Sequence, residues 1–545
     1  MLLLHLDMSN PMVSMFISHR ESHIRRFAPI FMMTFCLGIY MISVPFASFA
    51  QSGQNGSSEA SVSASSTEPS TGQVTAQVTA QIFELEETIQ LALEQSPLSR
   101  AAKYSLVASQ YRYKSFRADL LPSLDLSGDV PNYNRRLSTR LADDGSTQFI
   151  ATKQSNASLE LGVNQNLLWT GGTVSIASGM TRLGIFSDEN TYLWSSTPLV
   201  VSYRQPLFQY NALKWRNRLE PLRLTIAEKQ YVEELEDLSF TVTQRYFDVL
   251  LAKINLDIAQ TNVAVNDSIY NISRGRFNIG TIAENDLLQS ELALRNAETN
   301  LTSSQIQYDQ QIKNFRLLLG LPANADFDVS IPEQLPRLEV TADKALAMAQ
   351  QNNSTSLNNA LQEIDARRQL EQAVRQSTFS ANIIANVGFN QTAEDINDVY
   401  NDPLDQQFIT LGFDIPIFNW GKARAEIQSA RNVQREVADE IAYSQAQFEL
   451  AVQNTVMEFL QLERQLEIAA QSDTIALRRY QVARNRYLIG NIDITNLLIA
   501  QNERDSAKRA YIQALRTYWL GVYNLRRLTL YDFEIQAPIT YELER

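Results

Sequence analysis

The side chains that most often carry covalent or metal chemistry are confined to the start of this chain. Its three histidines are His5, His19 and His23, and its one cysteine is Cys36. If the segment that contains them is removed, serine–histidine triads, cysteine nucleophiles, disulfides and histidine or cysteine zinc sites are all excluded. Carboxylates are then the remaining acid–base groups, and a pair of them could serve a glycosidase. We predict no enzyme activity, no cofactor and no metal site.

The first 50 residues have the pattern of a secretory signal peptide. Arginines at 20, 25 and 26 precede an uncharged run over 27–44, and Ser48, Phe49 and Ala50 end in the small-residue pattern of a cleavage site. An uncleaved membrane anchor is the alternative.

The chain after this segment is acidic. Because the segment carries three of the 47 basic and two of the 60 acidic residues, the remaining chain has a net charge of −14. Such a charge argues against nucleic acid as a partner.

One short sequence occurs twice in the chain. Residues 276–288 read RFNIGTIAENDLL, and 486–498, 210 positions later, read RYLIGNIDITNLL. In both copies a single glycine separates a helix-forming stretch from another, so it can adopt the left-handed conformation that ends a helix and reverses the chain. We predict two helical hairpins, with isoleucines that pack across each reversal. The predicted tips consist of Arg276, Phe277, Ile279, Gly280, Ile282, Arg486, Tyr487, Ile489, Gly490 and Ile492.

The helices that lead into these tips are predicted to be long rods. Residues 422–489 contain neither glycine nor proline, and as one helix they extend about 100 Å. In the first copy the same rules give a helix over 222–274, and the returning helices are predicted over 283–319 and 495–520. Apolar residues follow a narrow stripe, which is typical of helices packed side by side. We expect no globular core beside the rods.

At the other end of the rods the hydrophobic period changes to two. Runs of about ten residues alternate apolar and polar side chains near 383–389 and 409–417, and again near 124–130 and 199–203. These are the dimensions of tilted strands that cross an outer membrane, and no helix-length apolar run occurs after residue 50. A soluble sandwich is the alternative. The first copy carries 45 extra residues with two further strand candidates, 159–163 and 174–176, separated by Thr170, Gly171 and Gly172.

The duplication divides the chain into predicted segments. They are a signal peptide (1–50), a disordered Ser/Thr/Gln-rich spacer (51–81), the first helix of repeat 1 (82–121), its strands with the extra hairpin (122–210), its helical hairpin (211–336), the first helix of repeat 2 (337–380), its strands (381–421), its helical hairpin (422–530) and a C-terminal tail (531–545).

Aromatic residues occur where strands end, namely Trp169, Tyr210 and Trp420. We interpret them as an aromatic girdle at the membrane interface or as a lid that packs over the joint between strand and helix.

This plan, with the strand ends QPLF (205–208) and IPIF (415–418) and the tip pattern R-[FY]-x-I-G-x-I, resembles the TolC family of outer-membrane efflux proteins over residues 82 to about 535. The resemblance implies a mixed α and β fold: a homotrimeric channel with a transmembrane β-barrel that continues into a long periplasmic α-helical barrel. It further implies an exit duct of a tripartite efflux or type I secretion system in a Gram-negative outer membrane. The expected partners are membrane lipid, a periplasmic adaptor (membrane fusion) protein and an inner-membrane pump of RND, ABC or MFS type.

In such channels, acidic residues beyond the tip glycine constrict the entrance and a tip tyrosine links to them. Asp286 and Tyr487 occupy matching positions, whereas Asn496 stands in place of the second acid, so that Glu284 or Asp493 would have to compensate. Three chains of four strands give a barrel of 12 and three of six give 18. We prefer 12, with the extra hairpin as rim structure. A periplasmic coiled-coil adaptor without a pore is the alternative function.

Overall fold

The computed structural model describes residues 81–541, apart from 144, 187–189 and 333. The predicted signal peptide lies outside this part, as does the predicted spacer except Gln81, which begins the first strand. The helices are α1 (Leu85–Gln95), α2 (Pro97–Ala118), α3 (Ala212–Asn278), α4 (Glu284–Leu319), α5 (Ala342–Asn352), α6 (Thr355–Gln376), α7 (Lys422–Leu488) and α8 (Ile494–Thr529). The strands are β1 (Gln81–Phe83), β2 (Ser123–Leu141), β3 (Thr147–Asn166), β4 (Thr173–Ile185), β5 (Thr191–Leu207), β6 (Phe327–Val329), β7 (Ser380–Ala393), β8 (Leu404–Asp414), β9 (Tyr531–Asp532) and β10 (Ala537–Pro538).

Two helices of 67 residues each, α3 and α7, dominate the fold, and each folds back on a 36-residue helix, α4 or α8. The run without glycine or proline thus predicts α7 correctly. The predicted start of α3 is wrong, because Pro221 lies inside the helix. The helix begins ten residues earlier, where Asn211 caps it by accepting a hydrogen bond from the Lys214 backbone N–H at 3.0 Å. None of the described helices is long and apolar enough to cross a bilayer.

The predicted end of α8 at residue 520 is also wrong, because Gly521 continues the helix to Thr529. A Cβ atom at position 521 would lie 2.6 Å from the Leu462 side chain on α7 and 3.2 Å from Phe459. This glycine therefore lets the two helices of the second hairpin approach closely, and it does not act as a helix stop. Sequence alone does not distinguish these two uses of glycine.

A globular core does lie beside the rods, contrary to expectation. Large apolar side chains from α1, α3, α4, α8, β1 and β6 are buried together, among them Tyr246, Phe247 and Phe315. The Tyr246 hydroxyl donates to the Ser330 carbonyl (2.7 Å) and lies 3.0 Å from the Phe83 carbonyl, and its burial raises the pKa of the phenol. We call this region the collar. It joins short elements that are far apart in sequence, which the periodicity of the rods does not reveal.

The C-terminal tail is held in the collar by a buried carboxylate. Glu236 is fully buried and accepts from the Arg526 guanidinium at 3.1 and 3.2 Å, and from the Tyr541 hydroxyl at 2.6 Å. Arg526 also pairs with Asp532. A buried charge is tolerated because it is paired and hydrogen-bonded. The predicted tail is therefore packed against the helices as far as Tyr541.

Six of the strands form one antiparallel sheet in the order β2-β3-β4-β5-β7-β8, while β1 pairs with β6 and β9 with β10. The two strands predicted from the extra residues are present as β3 and β4, joined by the turn that contains Gly171 and Gly172. The preference for four sheet strands, with the extra hairpin as rim structure, is wrong: all six strands lie in one continuous sheet. The expected length of about ten residues is also too short for β2 and β3, which have 19 and 20 residues. Their outer halves are polar, so alternation does not mark them.

One face of this sheet is apolar from edge to edge. Leu126 pairs with Leu161, Val163 with Ile176, Ile176 with Val201, Val201 with Val387, and, further along β7, Ile383 with Leu411 on the edge strand β8. Val163 and Ile383 are half-buried, and the other side chains are exposed, from 40% for Val201 to 69% for Leu126. The opposite face is polar, with a rung made by Asn164, Ser175, Ser202 and Asn386. We call the first face the apolar face and the second the polar face.

Candidate functional site

The repeated motifs form the free ends of the two helical hairpins. Gly280 and Gly490 have φ angles of +76° and +80°, as predicted for residues that end a helix. The Gly280 N–H donates to the Phe277 carbonyl and the Thr281 N–H to the Arg276 carbonyl, both at 2.9 Å. The second hairpin repeats this pair of bonds at the matching residues. The two tips are therefore built alike, down to the hydrogen bonds.

The isoleucines do not all pack as expected. Ile279 is 75% exposed and Ile489 is 71% exposed, so the prediction that they pack across the reversal is wrong. Ile282 and Ile492 are half-buried, and Ile492 packs against the apolar cluster of Tyr480, Ile494 and Leu497. The glycine turn directs the first isoleucine of each motif outward and the second inward. Each tip therefore presents an apolar side chain to its surroundings.

The first tip holds the second by an arginine. The Arg276 guanidinium donates to the carbonyls of Tyr487 (3.1 Å) and Leu488 (3.0 Å), at the C-terminal end of α7. It also lies 5.2 Å from the Tyr487 ring centroid. The last carbonyls of a helix have no partner within the helix and carry partial negative charge, so a cation there is stabilising. Sequence reasoning places Arg276 at a tip but does not identify the carbonyls it caps.

Tyr487 makes a different contact from the expected one. Its hydroxyl is 2.9 Å from the Ser273 hydroxyl on α3, and both side chains are buried, at 4% and 1% exposed. Among the residues that the structure describes, the Asp286 carboxylate takes part in no hydrogen bond or ion pair. The tyrosine–aspartate link is therefore absent within one chain. Ser273 is a residue that sequence reasoning missed, because nothing in the local sequence identifies which face of α3 meets α7.

The other candidate acids lie at helix starts. Asp493 caps α8 by accepting from the Asn496 backbone N–H at 2.8 Å, and Glu284 and Asp286 lie in the first turn of α4. Carboxylates at these positions stabilise the helices through the helix dipole. Asn496 contributes its backbone N–H to this cap. All four residues are at the same end of the molecule as the tips, but no two of the carboxylates share a hydrogen-bond network.

The strand-end aromatics occupy the junction of sheet and helices. Trp169 lies in the β3–β4 turn and is 92% exposed, while Trp420 precedes α7 and is 89% exposed. Tyr210 is half-buried and lies close to the Arg368 side chain on α6. Trp420 has an edge-to-face contact with Phe418, with 4.7 Å between the ring centroids, whereas Trp169 makes no ring contact with another described residue.

Comparisons with known proteins agree with this geometry. The family model described as outer membrane efflux protein matches residues 176–321 and 345–529. The alkaline protease secretion protein AprF of Pseudomonas aeruginosa is 21% identical over 353 residues, which cover 61% of this chain and 70% of that protein. The outer membrane protein TolC of Escherichia coli is 21% identical over 361 residues, with 63% and 71% covered. These relatives are transport and secretion proteins and not enzymes.

Solved structures show the same fold. The Campylobacter jejuni CmeC outer membrane channel superposes with a TM-score of 0.61 at 15% identity, covering 84% of this chain and 87% of that one. The Vibrio cholerae outer membrane protein VceC superposes with a TM-score of 0.57 at 15% identity, with 82% and 95% covered. The arrangement of one sheet, long helical hairpins and paired tips is therefore an arrangement that outer-membrane channels share.

Proposed function

The chain belongs to the outer membrane efflux protein family and is an outer-membrane exit duct that reaches into the periplasm, and we propose that three copies of it close one pore. The observation that carries the proposal is the six-stranded sheet, which is apolar on one face across its whole width and ends in open edges at β2 and β8. Unpaired strand edges cannot face lipid, because their backbone groups would lack hydrogen-bond partners. Pairing of β2 with β8 of the next copy satisfies both edges.

We infer a barrel of 18 strands, with six from each of three copies. In such a barrel the apolar face contacts lipid and the polar face lines the pore, which is the arrangement of outer-membrane barrels. The strands β3 and β4 support this count, since their apolar side chains are in register with those of the neighbouring strands. Trp169 and Trp420, which are almost fully exposed, then lie at the boundary between the membrane and the periplasm.

Unequal burial of matching residues at the tips supports a ring of copies. Tyr487 is 4% exposed, whereas Phe277, its counterpart 210 positions earlier, is 37% exposed. The ring of Tyr487 is covered by Arg276 of the same chain, but the matching Arg486 is exposed and, among described residues, has no ion pair. In a closed ring, Arg486 of one copy meets Phe277 and the carbonyls of the next. Two kinds of contact then alternate around the entrance.

Crosslinking tests this ring directly. In the variant Arg276→Cys/Leu488→Cys, a short bismaleimide should link residues within one chain, because the Arg276 guanidinium is 3.0 Å from the Leu488 carbonyl. In Arg486→Cys/Asn278→Cys, which carries the matching pair, the same reagent should link neighbouring chains into dimers and trimers. Cys36 is the only natural cysteine, and it lies in the predicted signal peptide. Denaturing electrophoresis distinguishes the two results, and monomers from the second variant would argue against the ring.

The exposed apolar side chains at the tips suggest where partners bind. Ile279, Ile489, Leu288 and Leu488 are 45–75% exposed at the periplasmic end of the hairpins. We propose that a periplasmic adaptor protein covers them and connects the duct to an inner-membrane pump. AprF is named for secretion of an alkaline protease, which favours a polypeptide as cargo, while the efflux family favours small molecules. Export of a secreted protein and of small toxic compounds from cells with and without this chain would distinguish the two.

The pore itself should prefer cations. With a net charge of −14 per chain after residue 50, fixed negative charge in the lumen enriches cations at low salt, and screening weakens this effect as salt increases. Reversal potentials across planar bilayers under a KCl gradient measure the preference. We expect a shift toward the potassium equilibrium potential that decreases above about 0.5 M salt. Protein that forms no conducting pore, or an anion-selective one, would contradict the proposal.

A further inference from the structure

A group of cations lies on the apolar face of the sheet, near the strand ends furthest from the helices. Arg135 on β2 pairs directly with Lys153 on β3, and Arg182 on β4 pairs with Ala157 on β3. Side chains alternate between the two faces along a strand, so residues 153 and 157 of β3 are on the same face as Leu161. Arg135 and Arg182 are opposite these two residues, so all three cations are on the apolar face. All three are exposed, and none has an ion pair with another described residue.

Aromatic rings connect these cations across the strands. The Arg182 guanidinium lies 4.4 Å from the Tyr192 ring centroid and 5.6 Å from that of Trp194. The Phe186 ring is 6.4 Å from Tyr192 and 6.2 Å from Tyr133 on β2. A guanidinium held against two rings is oriented, and loses less freedom when it binds an anion. We call the three cations and four rings the outer patch.

The position of the outer patch corresponds to the boundary of the membrane. Along β3, Arg182 is level with Ala157, four residues from Leu161, and Arg135 pairs with Lys153, eight residues from Leu161; these separations are about 13 and 26 Å at the usual rise per residue. Strands of outer-membrane barrels tilt by about 40°, so the three cations are about 10 to 20 Å above Leu161 along the membrane normal, which brackets the upper boundary of an apolar band about 25 Å tall. Because the helices are periplasmic, this is the cell-surface side of the membrane.

The charge of the outer patch has one sign on its own face. The nearest acids on β2 and β3 are Asp129 and Glu160. Asp129 is opposite Ser158, and Glu160 is opposite Ser127 on one side and Gly179 on the other, so both acids are on the polar face. Three cations that have no acid partner among the described residues, next to a lipid-covered surface, are stabilised by anions that are held near them. Lipids of the outer leaflet of a Gram-negative outer membrane carry phosphate groups on a sugar headgroup, directly above their acyl chains.

We propose that the outer patch is a binding site for the phosphate groups of phosphorylated glycolipids of the outer leaflet, with the acyl chains along the apolar face below it. Arg135, Lys153 and Arg182 donate hydrogen bonds to the phosphate oxygens, and Tyr192 and Trp194 hold the Arg182 guanidinium in place. The inference rests on the outer-membrane placement of the sheet but not on the number of copies in the duct. It concerns the lipid around the pore and not the cargo within it.

The test compares arginines on the two faces. We would purify the assembled full-length protein in mild detergent and measure the retained lipid A by mass spectrometry, for Arg135→Gln/Arg182→Gln and for the control Arg136→Gln/Arg204→Gln. Arg136 and Arg204 pair with residues of the polar face, Thr152 and Thr173. We expect retained lipid A to fall about tenfold in the first variant and to stay unchanged in the control. Equal retention in the two variants would overturn the proposal.

Two further measurements keep the result interpretable. The variant Arg135→Lys/Arg182→Lys keeps both charges and should retain most of the lipid A. Such a recovery would show that the loss in the glutamine variant comes from the lost charges and not from misfolding.

In the second measurement, added lipid A should rebind to delipidated protein, whereas dephosphorylated lipid A should not. Inorganic phosphate at millimolar concentration should not compete with lipid A. Competition by inorganic phosphate would make this a site for free anions and refute a lipid site. Export should be normal in the variants of Arg135 and Arg182, so loss of lipid is distinguishable from failure of the duct.

Discussion

Replacement of Gly280 and Gly490 together by valine should abolish export while assembly in the outer membrane survives. Both glycines have positive φ angles, and a Cβ atom at either position would meet nothing within 4 Å, so the penalty comes from the backbone alone. Left-handed geometry costs a residue with a β-carbon roughly 1–2 kcal/mol, and a β-branched one more. The turn should rearrange and displace Ile279 and Ile489, which we propose as contacts for the adaptor.

The measurement pairs two assays in the same cells, namely the amount of assembled protein in outer-membrane fractions and the rate of export. Gly280→Asn/Gly490→Asn is the first control, because asparagine tolerates the left-handed region. Gly275→Val is the second: it is near the tip but inside α3, it has open space around it, and valine is a better helix former than glycine there. Both controls should export normally. Normal export by the double valine variant would show that the tip geometry is dispensable, and loss of assembly would show that the glycines serve folding.

An arginine on the apolar face of the extra hairpin should prevent assembly. Leu161 on β3 pairs with Leu126 and is 47% exposed, at the middle of the apolar face. An arginine at the bilayer midplane costs about 2–4 kcal/mol in an outer-membrane barrel, hence about 6–12 kcal/mol for three copies. We therefore expect Leu161→Arg to remove most of the assembled protein from outer-membrane fractions, and export with it.

Ser158→Arg is the matched control. It is three residues away on the same strand but on the polar face, and it pairs with Asp129, whose carboxylate can accept hydrogen bonds from the new guanidinium. We expect near-normal assembly and a changed conductance, because the side chain faces the pore. Heat-resistant oligomer on gels gives the comparison. If both variants assemble equally well, β3 does not lie in lipid, and the barrel has fewer than 18 strands.

The long helix α7 and the two tips are features that sequence patterns predict correctly. The run from Lys422 without glycine or proline predicts α7 to within one residue of its end, and the repeat of RFNIG as RYLIG locates both tips. Local backbone preferences decide both features, so they are readable from short stretches. Pro221, Gly275 and Gly521 mislead the same reasoning, because each lies inside a helix; Gly521 does so where two helices pack closely, whereas Gly275 has open space around it.

The sequence by itself determined the family resemblance, the duplication, the rods, the positions of the tips and the alternation of the strands, because each depends on residues close together in the chain. The tertiary structure alone decided that six strands share one sheet, that Tyr487 bonds to Ser273 and not to Asp286, and that Arg276 caps α7. The two tip contacts join residues more than 200 positions apart in sequence, as in the 214-residue separation of Ser273 and Tyr487. The rotation of one long helix against another sets which side chains meet, and a rotation of about 100° per residue makes that outcome sensitive to packing along the entire rod.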